Sequence, residues 1–438
     1  MTPKLIHPVK SESHRAHGSP EDLCEQLIVG SAMTGQPPWF ALFDGQPLVS
    51  EEARPYLSFS HCVDAQLAAL RLHFQLIRQL AGDAGVSIGL SGGYDSRLVL
   101  LLAVEAGIPV HPYCYGSPKH AQENALAQQV SAAAGLPLRV IPVRRWTDLK
   151  EGDLEANIVD ALAFFAGRTN KTMGTFNDVH TARIHRECMG PAAVNLNGLG
   201  GELYRNRERL PPFPFSFTAW LWQYVAGPDL QGAFTAPRDR EHFESYFATR
   251  HGAVLGLSKL KWLDRHLARR WYRDIWLPHF AGARLAAERR VGRAMMPFAD
   301  PAVSATALAA TPFIGAHGEL EAELLRRLDA GIAALPSSYG AGFGRIPRHR
   351  RLKDAVMALA PIAARLARNR LRQNWRGPRT STLPAPSRER FQDALANLQA
   401  QAPSIDVGFL LGDCVSRDRT LYIAEFLFRQ RKLGVMQA

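Results

Sequence analysis

The chain has 438 residues, 46% of them hydrophobic and 21% charged. That is globular composition, and it excludes wholesale disorder, a collagen and a coiled-coil rod. Lysine and arginine number 52 against 40 acidic residues, so the net charge is +12 and the surface potential attracts anions.

The length predicts two or three domains around a sizeable core. No apolar run reaches the roughly 18–20 residues of a membrane span; Leu98–Val104 and Ala355–Ala364 are too short, so no transmembrane segment is expected. The N-terminus lacks the apolar stretch of a secretory signal, which favours a cytoplasmic protein. Cys24, Cys62, Cys114, Cys188 and Cys414 are widely spaced without a CxxC. They read as reduced, mostly buried thiols rather than a disulfide framework or a zinc site. No HExxH occurs, and His180 and His185 are badly spaced to share a helix face.

Residues up to about Glu21 form a polar leader. Asp22 to Ser60 has short apolar patches broken by Gly and Pro and reads as a small irregular or β-containing segment. From Asp64 the sequence DAQLAALRLHFQLIRQLAGDAG has helical apolar spacing with a glycine stop at Gly82 and Gly85. VSIGL is a buried strand, SGGYDS a turn, and RLVLLLAVEAG a helix. VHPYCYG, AQENALAQQVSAAAG and PLRVIPV continue as strand, helix and strand. This βαβαβ run predicts an α/β protein with a doubly wound parallel sheet. After Trp146 the chain reads as mostly helical. A further strand, AAVNLNGL, runs into the glycine-rich NGLGGELYRN. The Trp, Phe and Tyr residues between Phe213 and Arg290 sit at helical spacing and read as core rather than a binding box. PSRERFQDALANLQAQ and RDRTLYIAEFLFRQRKL are expected to be terminal helices. From Arg345 to Arg390 only Asp354 and Glu389 oppose many arginines. This stretch suits a nucleotide, a nucleic acid, an acidic glycan or an anionic membrane surface, or is a solvated helix face.

The segment Ser91-Gly92-Gly93-Tyr94-Asp95-Ser96 lies between a buried strand and a helix start. A helix start offers unpaired N–H groups and the positive end of its dipole to an anion. Gly92 and Gly93 let the backbone approach a phosphate, and the Ser91 and Ser96 hydroxyls can donate to it. Asp95 would repel a phosphate directly and makes sense with a divalent cation between them. Gly89-Leu90-Ser91-Gly92-Gly93 also satisfies the GxSxG nucleophile elbow. That alternative needs a histidine such as His251, His279 or His317 and leaves Asp95-Ser96 unexplained. A purely structural glycine turn is the third reading.

SGGYDS resembles the pyrophosphate-binding motif of the N-type ATP pyrophosphatases. Its context most resembles the synthetase domain of the asparagine synthetase and β-lactam synthetase group. Asn197-Gly198-Leu199-Gly200-Gly201-Glu202-Leu203-Tyr204 resembles that group's second acidic glycine-rich loop, and Met296-Pro297-Phe298-Ala299-Asp300 its PFxD segment. The resemblance spans roughly Asp64 to Phe343. It implies a sheet of the adenine nucleotide alpha hydrolase type and an ATP-dependent carbon–nitrogen ligase that converts a carboxylate to acyl-AMP, releases pyrophosphate and forms an amide. By the same resemblance ATP and Mg²⁺ are the cofactors. Asp95 and Glu202 would hold magnesium; Ser91, Gly92, Gly93, Ser96, Gly198, Gly200 and Gly201 would cradle the nucleotide; Gly116 would lie near its adenine or ribose.

The chain departs from that group in four places. Thr2 stands where a glutaminase cysteine would, and too few residues precede the first strand for a glutaminase domain. The second loop is one acidic residue shorter. Met295 and Arg293 replace the arginine and glutamate that precede PFxD. The late lysine is absent from Pro336–Phe343, where Arg345 or Lys353 could substitute. The expected organisation is a small N-terminal segment over 1–63, a synthetase domain over 64–345 and a basic helical extension over 346–438. The amine would be ammonia, a small amine or one delivered by a partner protein. Two other readings stay open: an RNA-modifying pyrophosphatase, motivated by the basic stretch, and a non-catalytic nucleotide-binding scaffold.

Overall fold

The computed structural model describes residues 20–29, 56–116, 121–143, isolated positions between 153 and 165, and residues 182–339, 348–375 and 392–410. Arg345, Cys414 and the terminal helix expected over 417–433 lie outside the described residues.

Five parallel strands form the central sheet: β1 (Val86–Gly89), β2 (Val110–Gly116), β3 (Arg139–Pro142), β4 (Val194–Leu196) and β5 (Arg293–Met295). Their order is β3-β2-β1-β4-β5. Two crossovers, through α3 (Tyr94–Glu105) and α4 (Ala121–Ala133), carry the chain outward from β1 to β3. The chain then returns to lay β4 on the free side of β1, with Val86 opposite Val194 and Ile88 opposite Leu196. The segments leaving β1 and β4 therefore diverge, which opens a crevice at their carboxyl ends.

Burial explains the local choices. β1 is apolar because helices cover the sheet. Val99, Leu100 and Leu101 of α3 are buried round its circumference, since it lies between the sheet, the helix Glu319–Leu328 and α2 (Phe59–Ala81). α2 begins at Phe59, capped by the Ser58 hydroxyl, so the boundary expected at 63/64 falls within its first turns. One aliphatic core joins α2, α3, the sheet and the segments 298–314 and 320–333.

A second core is aromatic and combines distant parts of the chain. Phe217, Trp220, Trp222, Phe243, Phe247 and Trp271 pack with Leu23, Leu27 and Ile28 and with Leu398, Ile405 and Leu410. The expectation of irregular or β structure from residue 22 is corrected here: Pro20–Val29 is a helix, α1, whose apolar residues recur three and four apart. The basic stretch forms helices over Arg348–Leu359 and Ile362–Trp375. Ile362 and Leu366 join the aromatic core, and buried Arg365 donates to the carbonyls of Glu208 and Arg209. Part of the arginine excess is thus internal scaffolding. Among the described residues no helix is long and apolar enough to cross a membrane.

Candidate active site

The loops after β1 and β4 meet in the crevice. A cleft of about 280 Å³ is lined by Ser91, Asp95 and Ser96 from the first loop and by Asn197, Gly198 and Glu202 from the second. Gly93 starts α3 in extended conformation, and no side chain caps the helix. Its first-turn N–H groups are the kind of donors that suit an anion. The Ser91 hydroxyl pairs with the Ser96 hydroxyl at 3.0 Å and accepts from Gly93 N at 3.3 Å, which ties the turn together.

Glycine is required where the two loops touch. A Cβ on Gly201 would stand 1.8 Å from Asp95 Oδ1, and one on Gly198 3.1 Å from Asp95 Cβ. Gly200 has φ +103° and rests against Phe298, 3.1 Å from its Cβ position to that of the phenylalanine. The three sequence segments SGGYDS, NGLGGE and MPFAD thus pack as one unit. Asp300 works beneath it, accepting from Ala302 N and Val303 N at a helix start and pairing with His73 at 3.2 Å. A Cβ on Gly92 would stand 2.5 Å from Leu126 Cδ1 and 3.2 Å from Ser338 N, and the Gly92 carbonyl accepts from Ser338 N. Arg97 is buried and donates to the carbonyls of Ile332, Leu335 and Pro336, holding that segment over the loop.

Gly116 is not among the residues that line the cleft. It ends β2 where a Cβ would meet Val140 at 2.8 Å, so packing against β3 demands it. Tyr113, Cys114 and Tyr115 line the cleft instead.

Asp95 is not a lone carboxylate. Arg205 donates to Asp95 Oδ2 at 2.8 Å and to Glu321 Oε2 at 3.2 Å. Glu321 is fully buried, and among the described residues Glu321 Oε1 and Asp95 Oδ1 have no hydrogen-bond partner. Burial, and then the Asp95 carboxylate, push the Glu321 carboxyl well above the ordinary carboxylate range. Glu202 accepts from the Tyr272 hydroxyl at 2.8 Å, and burial followed by Glu202 keeps that phenol protonated. The second Glu202 oxygen has no protein donor among the described residues.

Below the cleft runs a buried polar thread. Ser87 donates to Asn195, while Asn195 and Asn197 reach Glu288 at 3.4 Å each. His185 and Arg284 complete the shell of Glu288, at 3.4 and 2.7 Å. Burial would raise the Glu288 carboxyl, but Arg284 and the His185 hydrogen bond outweigh it and hold it down at about 2.

The nucleophile-elbow alternative fares poorly. His251 sits in the aromatic core, bonded to Trp271 Nε1 at 3.0 Å. His317 pairs with Asp354 at 3.0 Å, and His279 is buried in the helix Tyr272–Ala281. Ser91 is instead engaged by Ser96 and Gly93. Lys353 is exposed and lines neither the cleft nor the larger cavity beside it.

Sequence reasoning missed Arg205, Glu321, Tyr272, Arg284 and Glu288. Arg205 follows Glu202 by three residues and was within reach of the motif. Glu321 and the Arg284–Glu288 pair carry no local signal, because their spacing matches ordinary solvated helix faces. No family model matches the chain, and no curated protein matches it.

Proposed function

We propose that the protein is an ATP-dependent, adenylate-forming carbon–nitrogen ligase. The supporting observation is that Asp95 and Glu202, far apart in sequence, line one crevice at the strand-order reversal with Gly201 seated on the Asp95 carboxylate. In this reading the ATP phosphates lie along Ser91–Ser96 at the start of α3. An oxygen of a substrate carboxylate attacks the α-phosphorus as the bond to the pyrophosphate oxygen breaks, giving acyl-AMP. Ammonia or an amine then attacks the acyl carbon; AMP leaves, and the nitrogen loses a proton to solvent.

Magnesium suits the donors present. Asp95 and Glu202 offer only oxygen, and two carboxylates leave room for the phosphate oxygens and waters that this small cation retains. Among the described residues no group of three or more His, Cys, Asp or Glu side chains is placed to hold a metal ion. Bound by Asp95 and Glu202, magnesium would supply neutralisation of charge on the departing pyrophosphate. Tyr272 orients Glu202, and Arg205 holds Asp95 in place.

A nucleotide-binding scaffold is the second reading, favoured by the Arg205 ion pair that already engages Asp95 and by the absence of lysine from Pro336–Tyr339. Carboxylate-stimulated exchange of labelled pyrophosphate into ATP decides between them. Exchange is expected in the wild type and should fall about a hundredfold or more in Asp95→Asn, with far-UV circular dichroism unchanged. Undiminished exchange in that variant overturns the assignment of Asp95. ATP binding without exchange across a carboxylate panel selects the scaffold.

A further inference from the structure

We infer that the large cavity beside the nucleotide cleft binds a carboxylate with an aromatic or extended apolar body, and that Arg284 grips the carboxylate group. The cavity has a volume of about 660 Å³ and shares Leu199, Glu202 and Arg284 with the cleft. Volumes of about 300–1,000 Å³ hold ligands well beyond the size of a small amino acid.

One wall is a ladder. Tyr272, Trp276, Phe280 and Arg284 recur every fourth residue and all line the cavity. Pro278 lies inside the helix Tyr272–Ala281, which has a widened π-type turn. That turn brings residues four apart into register. The Tyr272 and Trp276 rings stack at 4.8 Å and 17°, and the Trp276 and Phe280 rings at 4.3 Å and 19°. Aromatic faces of this kind take a flat or apolar ligand body at low entropic cost.

The ladder leads from Tyr272, bonded to Glu202, to Arg284 on the wall that the two cavities share. Arg207 lines the cavity but not the cleft, and three other arginines of the cavity are committed elsewhere. Arg205 holds Asp95 and Glu321, Arg265 donates to Leu210 O, and Arg269 donates to Leu203 O and Ala307 O. Among the described residues Arg284 is engaged at Nε alone, by Glu288 at 2.7 Å. Its terminal nitrogens keep the fork that pairs with a carboxylate, and Glu288 fixes its orientation. A carboxylate held there stands at the mouth of the nucleotide cleft, where acyl activation would need it. The reaction rests on the ligase reading; the binding prediction does not.

The test is calorimetry on the full chain without nucleotide, using 4-phenylbutyrate, its neutral amide and succinate as probes. The aromatic acid is expected to bind at least tenfold more tightly than either of the others. Arg284→Gln should erase the preference for acid over amide and leave amide binding in place. Trp276→Ala, at a half-buried position, should weaken acid and amide alike by at least tenfold. If Arg284→Gln fails to fold, Arg284→Lys, with an intermediate preference expected, takes its place. Equal binding of acid and amide by the wild type, or of aromatic acid and succinate, overturns the proposal. The expected binding pattern without pyrophosphate exchange would remove the ligase reading and keep this site. Exchange stimulated by succinate but not by aromatic acids would do the reverse.

Discussion

The two cores of this molecule are built by opposite means. The sheet half draws aliphatic residues from contiguous strand–helix units, and its active edge is made of backbone pressed against side chains, as where Gly201 meets Asp95. The helical half collects aromatic residues from α1, residues 215–275 and the segments 362–366 and 398–410, and it encloses a cavity of about 660 Å³. Tight loops fix atoms where charge must be placed, whereas stacked rings leave room for a ligand body. If that contrast is right, substitutions in the buried aromatic core of the helical half should chiefly cost stability, and substitutions at the loop contact should chiefly cost nucleotide binding.

The largest stability effect is expected from Trp222→Ala. Trp222 is fully buried among Phe234 and Phe243, and its indole N–H donates to Glu244 at 2.6 Å. Removing it should cost about 3–5 kcal/mol in urea denaturation, with ATP affinity unchanged in the folded fraction. A loss of ATP affinity as great as the loss of stability would join the two halves into one cooperative site and break the contrast.

Acid titration should show the next effect. Glu288 is buried and its carboxyl is held at about 2, below an ordinary value near 4.5, by Arg284 and His185 against the cost of burial. Because the folded value is the lower one, its stabilisation is complete above about pH 4.5 and is lost as pH falls toward 2. The amount is on the order of 3 kcal/mol. Glu288→Gln should flatten that part of the stability–pH curve; an unchanged slope would show that the thread beneath the cleft is electrostatically idle.

Gly201→Ala sharpens the contrast from the other side. The added methyl would collide with the Asp95 carboxylate. The loop must shift, at about 1–3 kcal/mol in stability, while ATP binding should fall by a hundredfold or more. Retention of wild-type affinity would mean that the loop contact does not shape the nucleotide site.

How much of this could be read from sequence follows the same division. VSIGL, SGGYDS and RLVLLLA declare strand, turn and helix by an apolar run, paired glycines and a change of period, and β1 and α3 occupy those residues. The meeting of SGGYDS with NGLGGE follows once β4 is laid beside β1. Glu321 could not be found this way. It lies in ELEAELLRRL, a pattern that reads as a solvated helix, yet it is fully buried beneath Asp95 because the helix Glu319–Leu328 packs on α3. The aromatics at helical spacing were expected to be core. Trp220 and Trp271 are, but Tyr272 and Trp276 are half-buried on a cavity wall, and spacing alone does not separate the two.

The smallest effect should come from a pair that resembles the one in the site. Arg71 and Glu105 form a two-pronged ion pair, 3.0 and 2.6 Å, between α2 and α3. Its geometry is as good as that of Arg205 with Asp95, but its side chains are 48% and 38% exposed, against 8% and 24%. Water and salt screen the outer pair, so Glu105→Ala should cost about 0.2–1 kcal/mol and nothing measurable in 1 M salt. Arg205→Ala removes the one cation that, among the described residues, pairs with both Asp95 and Glu321 in a water-poor crevice, which salt screens far less. A salt-sensitive loss in Arg205→Ala as small as that in Glu105→Ala would place Asp95 in bulk-like solvent. The crevice would then lack the low dielectric that makes its charges useful.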